Sequence, residues 1–401
     1  MRQALTNARV VLPERVLEKA TVLVEDECIL AVEPERLGTA SASVVDLEGR
    51  WLLPGIVDLH SDYVETLSEP RPGALFPRRF AAVQWDRICA MCGITTAYDS
   101  LLFATGEFGV RSVSGMKDLV EALETLKPLA LVDHRLHLRY EVTDRASFEI
   151  VRELMAQDRV DLLSFNDHTP GQGQYPTFES YLNYCAGKYR MTEEQVRRKV
   201  LEKQEARADA PERMRALREL ANACGIPIAS HDDDSPRQVA GHAAQGVTIV
   251  EFPVTLEAAR EARARGLKTM VGAPNLIRGG STSGALRAID ALQAGVVDAL
   301  CSDYLPSGML ASVFLLPRLS GCPLHEAANL VTLNPARMAG MTDRGAIRPG
   351  LRADLMAVEM CGEEPVVAAT WVRGRQAFAT RELTRLGTAD EWALIGTEEG
   401  A

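Results

Sequence analysis

The chain has 401 residues, 46% of them hydrophobic and 25% charged, with a formal net charge of −11. That is enough apolar chain for one barrel-sized domain plus a smaller one, and too much for a short binding module. The acidic balance argues against a nucleic-acid or anionic-membrane surface, yet it leaves room for a local basic pocket.

Residues 1–50 read as short strands broken by Pro, Gly and Asp: ALTNARVVL, TVLVEDECILAV and SVVDLEG are rich in β-branched residues. No charged segment followed by an apolar one opens the sequence, and no apolar run is long enough to cross a bilayer, so a cytoplasmic protein is expected. The β-rich texture returns in RGAIRPGLRADLMAVEM and PVVAATWVRGRQAF. We therefore expect a composite small β-sandwich from residues 1–50 and 344–390, with residues 51–343 inserted as a separate domain.

That middle alternates short apolar runs with helical stretches. The candidate strands are GIVDLH, GITTAYDS, LHLRYEV, VDLLSFNDH, IPIASHDD, VTIVEFP, LKTMVGAPN and VDALCSDY. Eight strands spaced by helices predict an α/β fold, a parallel (β/α)8 TIM-like barrel with its active site at the C-terminal strand ends. Polar groups fall there: His60 and Asp62 after the first run, Asp99 the second, Glu141 the third, Asp167 and His168 the fourth, His231 the fifth, Glu251 the sixth, Asp303 the eighth.

In the first run, LLPGIVDLHSDYVE, period-two alternation puts Asp58, His60 and Asp62 on one strand face. Such a group can hold a divalent metal, and a salt-linked core histidine is the competing explanation. Alternatives exist for each other member too: Asp99 as a helix cap, His168 bonded to a backbone carbonyl, Glu251 paired with an arginine. Jointly they favour a metal centre, because three of the seven histidines fall at proposed strand ends. His134, His137, His242 and His325 are expected in surface or packing roles.

The connection from Thr169 to Gly225 is long, and its charged stretch from Thr192 to Cys224 is expected to be a solvated helix face. Its beginning, YLNYCAGKYR, places tyrosines around Lys188 and Arg190 and suggests a lid. Eight scattered cysteines imply reduced thiols, and the lone C-x-x-C of Cys89 and Cys92 lacks the second pair a zinc site would need.

LLPGIVDLH, the eight-strand order, His231, the SDY containing Asp303 and the GAIRPGLRADLMAV tail together resemble the amidohydrolase superfamily. The sequence departs from the usual member in having H-S-D at His60 to Asp62, no obvious strand-four lysine and Glu251 on strand six. Those departures, with E-P-R-P-G from Glu69, L-R-Y-E from Leu138, D-H-T-P-G-Q from Asp167, S-H-D-D from Ser230 and A-P-N-L-I-R-G-G-S from Ala273, are similar to the phosphonate-metabolism diphosphatase branch of the carbon–phosphorus lyase pathway. The resemblance implies hydrolysis of α-D-ribose 1-methylphosphonate 5-triphosphate to the 5-phosphate and diphosphate. It implies one or two divalent ions, with zinc as first choice and manganese or iron as alternatives. His60, Asp62, Glu141, His231 and Asp303 lead the expected ligands, followed by Asp167 and His168, with Glu251 last. Asp303 is the expected proton acceptor, and attack at the α-phosphorus is preferred to attack at the β-phosphorus.

No G-x-x-x-x-G-K-[ST] loop is present. The glycine-rich stretch after the seventh strand, Asn275 to Gly284, includes Arg278, Gly279, Gly280 and Ser281, and is read either as a phosphate-binding loop or as a flexible turn. Arg139 shares a strand face with Glu141 and is expected to meet an anion during catalysis, with Arg71, Lys188 and Arg190 as further contacts from loops. The expected partner is a small phosphorylated sugar, with neither nucleic acid nor membrane, and homo-oligomerisation is left open. Cyclic-amide hydrolysis or heterocycle deamination is the alternative chemistry.

Overall fold

The computed structural model describes residues 2–32, 42–104, 111–281, 284–380 and 384–388. Two sheets organise them. The first joins the N-terminal strands β1 (Arg2–Val11), β2 (Val16–Glu25), β3 (Cys28–Val32), β4 (Ser43–Asp46) and β5 (Trp51–Pro54) to four strands from the other end of the chain. The second contains β6 (Ile56–Ser61), β7 (Ile94–Phe103), β8 (Asp133–Glu141), β9 (Leu162–Asn166), β10 (Ile228–His231), β11 (Ile249–Glu251), β12 (Lys268–Gly272) and β13 (Ala299–Cys301). The chain then returns to the first sheet with β14 (Leu355–Cys361), β15 (Glu364–Val372), β16 (Arg375–Ala379) and β17 (Thr384–Thr388).

Every strand of the second sheet lies parallel beside the next in sequence. The ring closes where Ser61 bridges to Asp303: Asp303 N donates to the His60 carbonyl at 2.9 Å, and Asp62 N donates to the Asp303 carbonyl at 3.1 Å. This is the expected eight-stranded barrel. Its strands read as unbroken apolar runs because both faces are covered; every residue of β6 and β7 is buried. Between β5 and β6, Gly55 makes the passage from terminal sheet to barrel, since a Cβ there would lie 2.3 Å from the Thr95 side chain.

The terminal sheet runs β16-β15-β14-β5-β1-β2-β3, with β4 paired to β1 and β17. It encloses an apolar cluster of its own that includes Leu5, Val22, Leu52, Leu355 and Trp371. Trp51 to Pro54 pairs with both β1 and β14 and so belongs to this sheet. Buried Arg344 fastens the returning segment beneath the barrel through Asp133 and Thr96.

The long β9–β10 connection forms helices Phe178–Tyr189, Glu193–Ala206 and Ala210–Cys224. Tyr175, Tyr181, Cys185, Met191, Val196 and Val200 pack into a separate small core there. The charged helices are not solvated throughout: Lys203 and Arg213 are buried. No helix among the described residues is long and apolar enough to cross a membrane. Cys89 and Cys92 are buried around the end of helix Arg78–Met91.

Candidate metal centre and anion cleft

Backbone strain marks the barrel mouth. Asp232, Phe252 and Asp303 follow their strands closely and hold φ of 58°, 51° and 54°. Aspartate tolerates this left-handed region better than most residues, whereas phenylalanine there is a real outlier. The Phe252 ring packs against His60 and His231, with centroids 4.9 and 5.1 Å away. It therefore forms an apolar wall behind both imidazoles.

A cleft of about 370 Å³ opens at this end. His60, Asp62, His168, His231, Asp232 and Asp303 line it, together with Arg111, Arg139, Lys199 and Arg278. Two groups of donors converge: His60, His231 and Glu251, and separately His168, His231 and Asp232, each with ligand atoms within 4.8 Å of one another. Glu251 is fully buried, and neither of its oxygens accepts a hydrogen bond among the described residues. A buried carboxylate left like that costs several kcal/mol, roughly, unless a cation meets it. Nitrogen and carboxylate donors of this kind suit zinc, manganese or iron. The residues present thus fit a metal centre.

The electrostatics agree. Burial, with Arg139 and His231 adding to it, drives His60 well below the usual histidine range, so its ring is neutral and free to ligate. Burial takes His137 down to about 3. Burial and then Asp62 push the Asp303 carboxyl well above the usual range. Burial opposes ionisation of Asp232, but His231, 3.0 Å from it, holds it below the ordinary value.

Other residues sit around this centre rather than in it. Glu141 accepts from Thr143 at 2.7 Å, meets Lys203 at 3.0 Å and holds His168 Nδ1 at 2.7 Å. Burial would raise its carboxyl, yet Lys203 and His168 keep it well below the usual range. Its two oxygens thus face Lys203 and His168, and a carboxylate behind an imidazole is an arrangement common behind metal ligands. Asp167 lies 3.1 Å from Arg207 and lines a neighbouring cavity. Asp58 accepts from Ser302 N at 3.0 Å at the barrel seam, and burial raises it to about 6. Asp99 is mid-strand in β7, which continues to Phe103; it bonds outward to Trp85 and to His134, 3.0 Å away.

Arg139 lines the cleft, 3.3 Å from His231 Nε2. Arg278, Gly280 and Ser281 line it too, while Gly279 ends a helix with φ of 76°. The expected loop begins as that helix, Ala273–Arg278. Asn275 also lines the cleft, but its amide staples the segment by donating to the Leu286 carbonyl at 3.0 Å and accepting from Ala288 N at 2.9 Å. Thr282 and Ser283 fall outside the described residues, as does the Lys188 side chain. Arg71 and Arg190 are exposed and do not line the cleft.

Several residues in or beside the cleft escaped the sequence reading. Asp232 stands within the quoted S-H-D-D. His137 alternates with Arg139 and Glu141 on one strand face, so period two alone would have exposed it. Lys203 continues the buried stripe of Val196 and Val200 at helical spacing. Arg111, bound to Glu65 at 2.7 Å, comes from a connection without periodicity.

The Amidohydrolase family matches residues 51–377. The alpha-D-ribose 1-methylphosphonate 5-triphosphate diphosphatase of Escherichia coli (strain K12) is 34% identical over 340 residues, 83% of this chain and 90% of the relative. Imidazolonepropionase of Deinococcus deserti is 25% identical over 362 residues, 85% and 86% of the two chains. The crystal structure of N-isopropylammelide isopropylaminohydrolase from Burkholderia multivorans ATCC 17616 superposes with a TM-score of 0.65 at 15% identity, covering 96% of this chain and all 100% of the other, and supports the fold alone. The chain belongs to the amidohydrolase family, hydrolases that typically work with divalent metal ions.

Proposed function

We propose that this chain hydrolyses α-D-ribose 1-methylphosphonate 5-triphosphate to the 5-phosphate and diphosphate. The observation that carries this reading is the lining of the cleft, where Arg111, Arg139, Lys199 and Arg278 stand beside the metal-type donors in a chain of net charge −11. Cations gathered against that overall charge suit a polyphosphate better than a neutral cyclic amide. The Escherichia coli relative, whose name states this substrate, supports the same reading.

One or two divalent ions, held by His60, His231 and Glu251 or by His168, His231 and Asp232, with His231 serving one ion only, would supply Lewis acidity to a phosphoryl oxygen and to water, with zinc the first choice. Asp303 accepts the proton of the attacking water; its side chain lines the cleft at the barrel seam. Water adds to the α-phosphorus, the bond to the bridging oxygen breaks, and diphosphate leaves. Arg139 and Arg278 neutralise the charge that gathers on the departing oxygens. Tyr175, Tyr181 and Tyr184 from the inserted segment wall the cleft and offer a surface for the sugar.

Turnover in ¹⁸O-water tests both bond and site. The label should enter the sugar 5-phosphate. Label in the diphosphate would move the attack to the β-phosphorus, and hydrolysis of a dihydropyrimidine or hydantoin in place of the triphosphate would overturn the substrate class.

A further inference from the structure

We propose that Lys199, framed by the tyrosines of the inserted segment, holds the anionic group on C1 of the sugar and so selects this substrate over a nucleoside triphosphate. The proposal rests on the substrate read above, which is charged at both ends, with a triphosphate on C5 and a phosphonate on C1. A cleft that takes the whole molecule needs cations on two sides of the reacting phosphorus.

The barrel mouth has those two sides. Arg278 follows β12, the seventh strand of the ring. Arg111, beyond the second strand β7, is tied at 2.7 Å to Glu65, which follows the first. Both arginines therefore belong to the arc of the seventh, eighth, first and second strands, where the ring closes at Asp303. The inserted helices leave from β9, the fourth strand, across the mouth from that arc. Lys199 is carried by them and also lines the cleft.

The helix that carries it is held firmly. On Glu193–Ala206, Val196, Lys199, Val200 and Lys203 fall three or four positions apart and share one face. Val196 and Val200 pack into the small core with Tyr175 and Tyr181, and Lys203 reaches Glu141 at 3.0 Å. Half-buried Lys199 is thus fixed one turn before the residue that anchors the helix to the barrel.

The tyrosines join the metal-type donors to this lysine. The Tyr175 ring is 6.4 Å from His168 and 5.4 Å from Tyr184, whose hydroxyl is 3.4 Å from that of Tyr189. All three tyrosines line the cleft with Lys199. Their rings cross steeply, at 72° for Tyr175 on Tyr181 and 85° for Tyr184 on Tyr189. A nucleobase binds best on an open aromatic face. Ring edges, hydroxyls and an ammonium suit a sugar bearing an anion instead.

The test compares kcat/KM on the ribosyl methylphosphonate triphosphate with that on ribose 5-triphosphate, which lacks the phosphonate, for the parent chain, Lys199→Met and Lys199→Arg. The parent should prefer the phosphonate compound. Lys199→Met should lower that preference about 10- to 100-fold, chiefly through KM, and Lys199→Arg should restore most of it. An unchanged preference in Lys199→Met would overturn the proposal, and an equal loss on both compounds would do so by assigning Lys199 to the triphosphate. A parent that hydrolyses neither compound would overturn the substrate reading and the proposal with it. Should Lys199→Met fail to fold, inhibition of the parent decides: ribose 1-methylphosphonate 5-phosphate should inhibit at least roughly tenfold better than ribose 5-phosphate, and equal inhibition would refute the assignment.

Discussion

At the scale of single residues, the mouth separates groups that meet the reaction from groups that aim them. In the proposed reaction, Asp303 belongs to the first kind. Replacing it with Asn keeps its size and removes the proton acceptor, so kcat should fall by about 10³-fold or more with KM within a few-fold; steady-state kinetics on the triphosphate read this directly, and near-normal kcat would remove Asp303 from that role. Arg278 is exposed at the cleft rim, so Arg278→Ala should act through charge. Loss of one charge-assisted contact of about 1.5–3 kcal/mol lowers kcat/KM by roughly 10- to 100-fold. The deficit should shrink as salt rises, because exposed charges are screened. That His60, His231 and Asp303 would reach the cleft was legible, because they fall at the ends of apolar runs. The work of Glu141 was not, because its partners Lys203 and His168 lie 62 and 27 positions away in the numbering, and only folding brings them together.

At the scale of elements, the strands were legible from continuous apolar runs, and the inserted helices only in part. The stretch from Thr192 onward is rich in charge, and the buried stripe of Val196, Val200 and Lys203 hides within it because its third member is itself a charge. Lys203 ties that helix to Glu141 at the barrel mouth. Lys203→Met should cost about 3 kcal/mol, since it removes the lysine cation from a buried ion pair and leaves Glu141 to His168 and Thr143 alone, and denaturant unfolding can measure it. The variant should also bind substrate more weakly, because Glu141, which faces His168, loses the lysine that anchors its other oxygen. Gly55 makes a separate prediction. An alanine Cβ would press on buried Thr95, whose hydroxyl is bonded to the Ile56 carbonyl, so Gly55→Ala should destabilise by about 1–3 kcal/mol. An unchanged unfolding midpoint would mean that the strand junction yields more easily than its packing indicates.

For the whole molecule, two β-rich ends were enough to forecast a composite terminal sheet, but Trp51 to Pro54 joining it was not evident, because that segment runs into β6 with only Gly55 between. The pH dependence of stability is also a property of the assembled chain. Burial opposes charge on His134, yet Asp99 and Asp86 raise it to about 10, against roughly 6.5 for an unfolded histidine. The native state then holds the extra proton between those values. Its stabilisation is complete below about pH 6.5 and is lost as pH rises toward 10. Unfolding midpoints should therefore fall across that window, and His134→Gln should flatten the decline. The central claim, a metal-dependent diphosphate-releasing hydrolase, is tested most directly by ³¹P NMR. The metal-reconstituted chain would be mixed with the ribosyl methylphosphonate triphosphate, beside ATP and a chelator-treated control. The account predicts diphosphate and the 5-phosphate, formed only with metal and much faster than any product from ATP; an intact triphosphate in the presence of metal-loaded protein would contradict it.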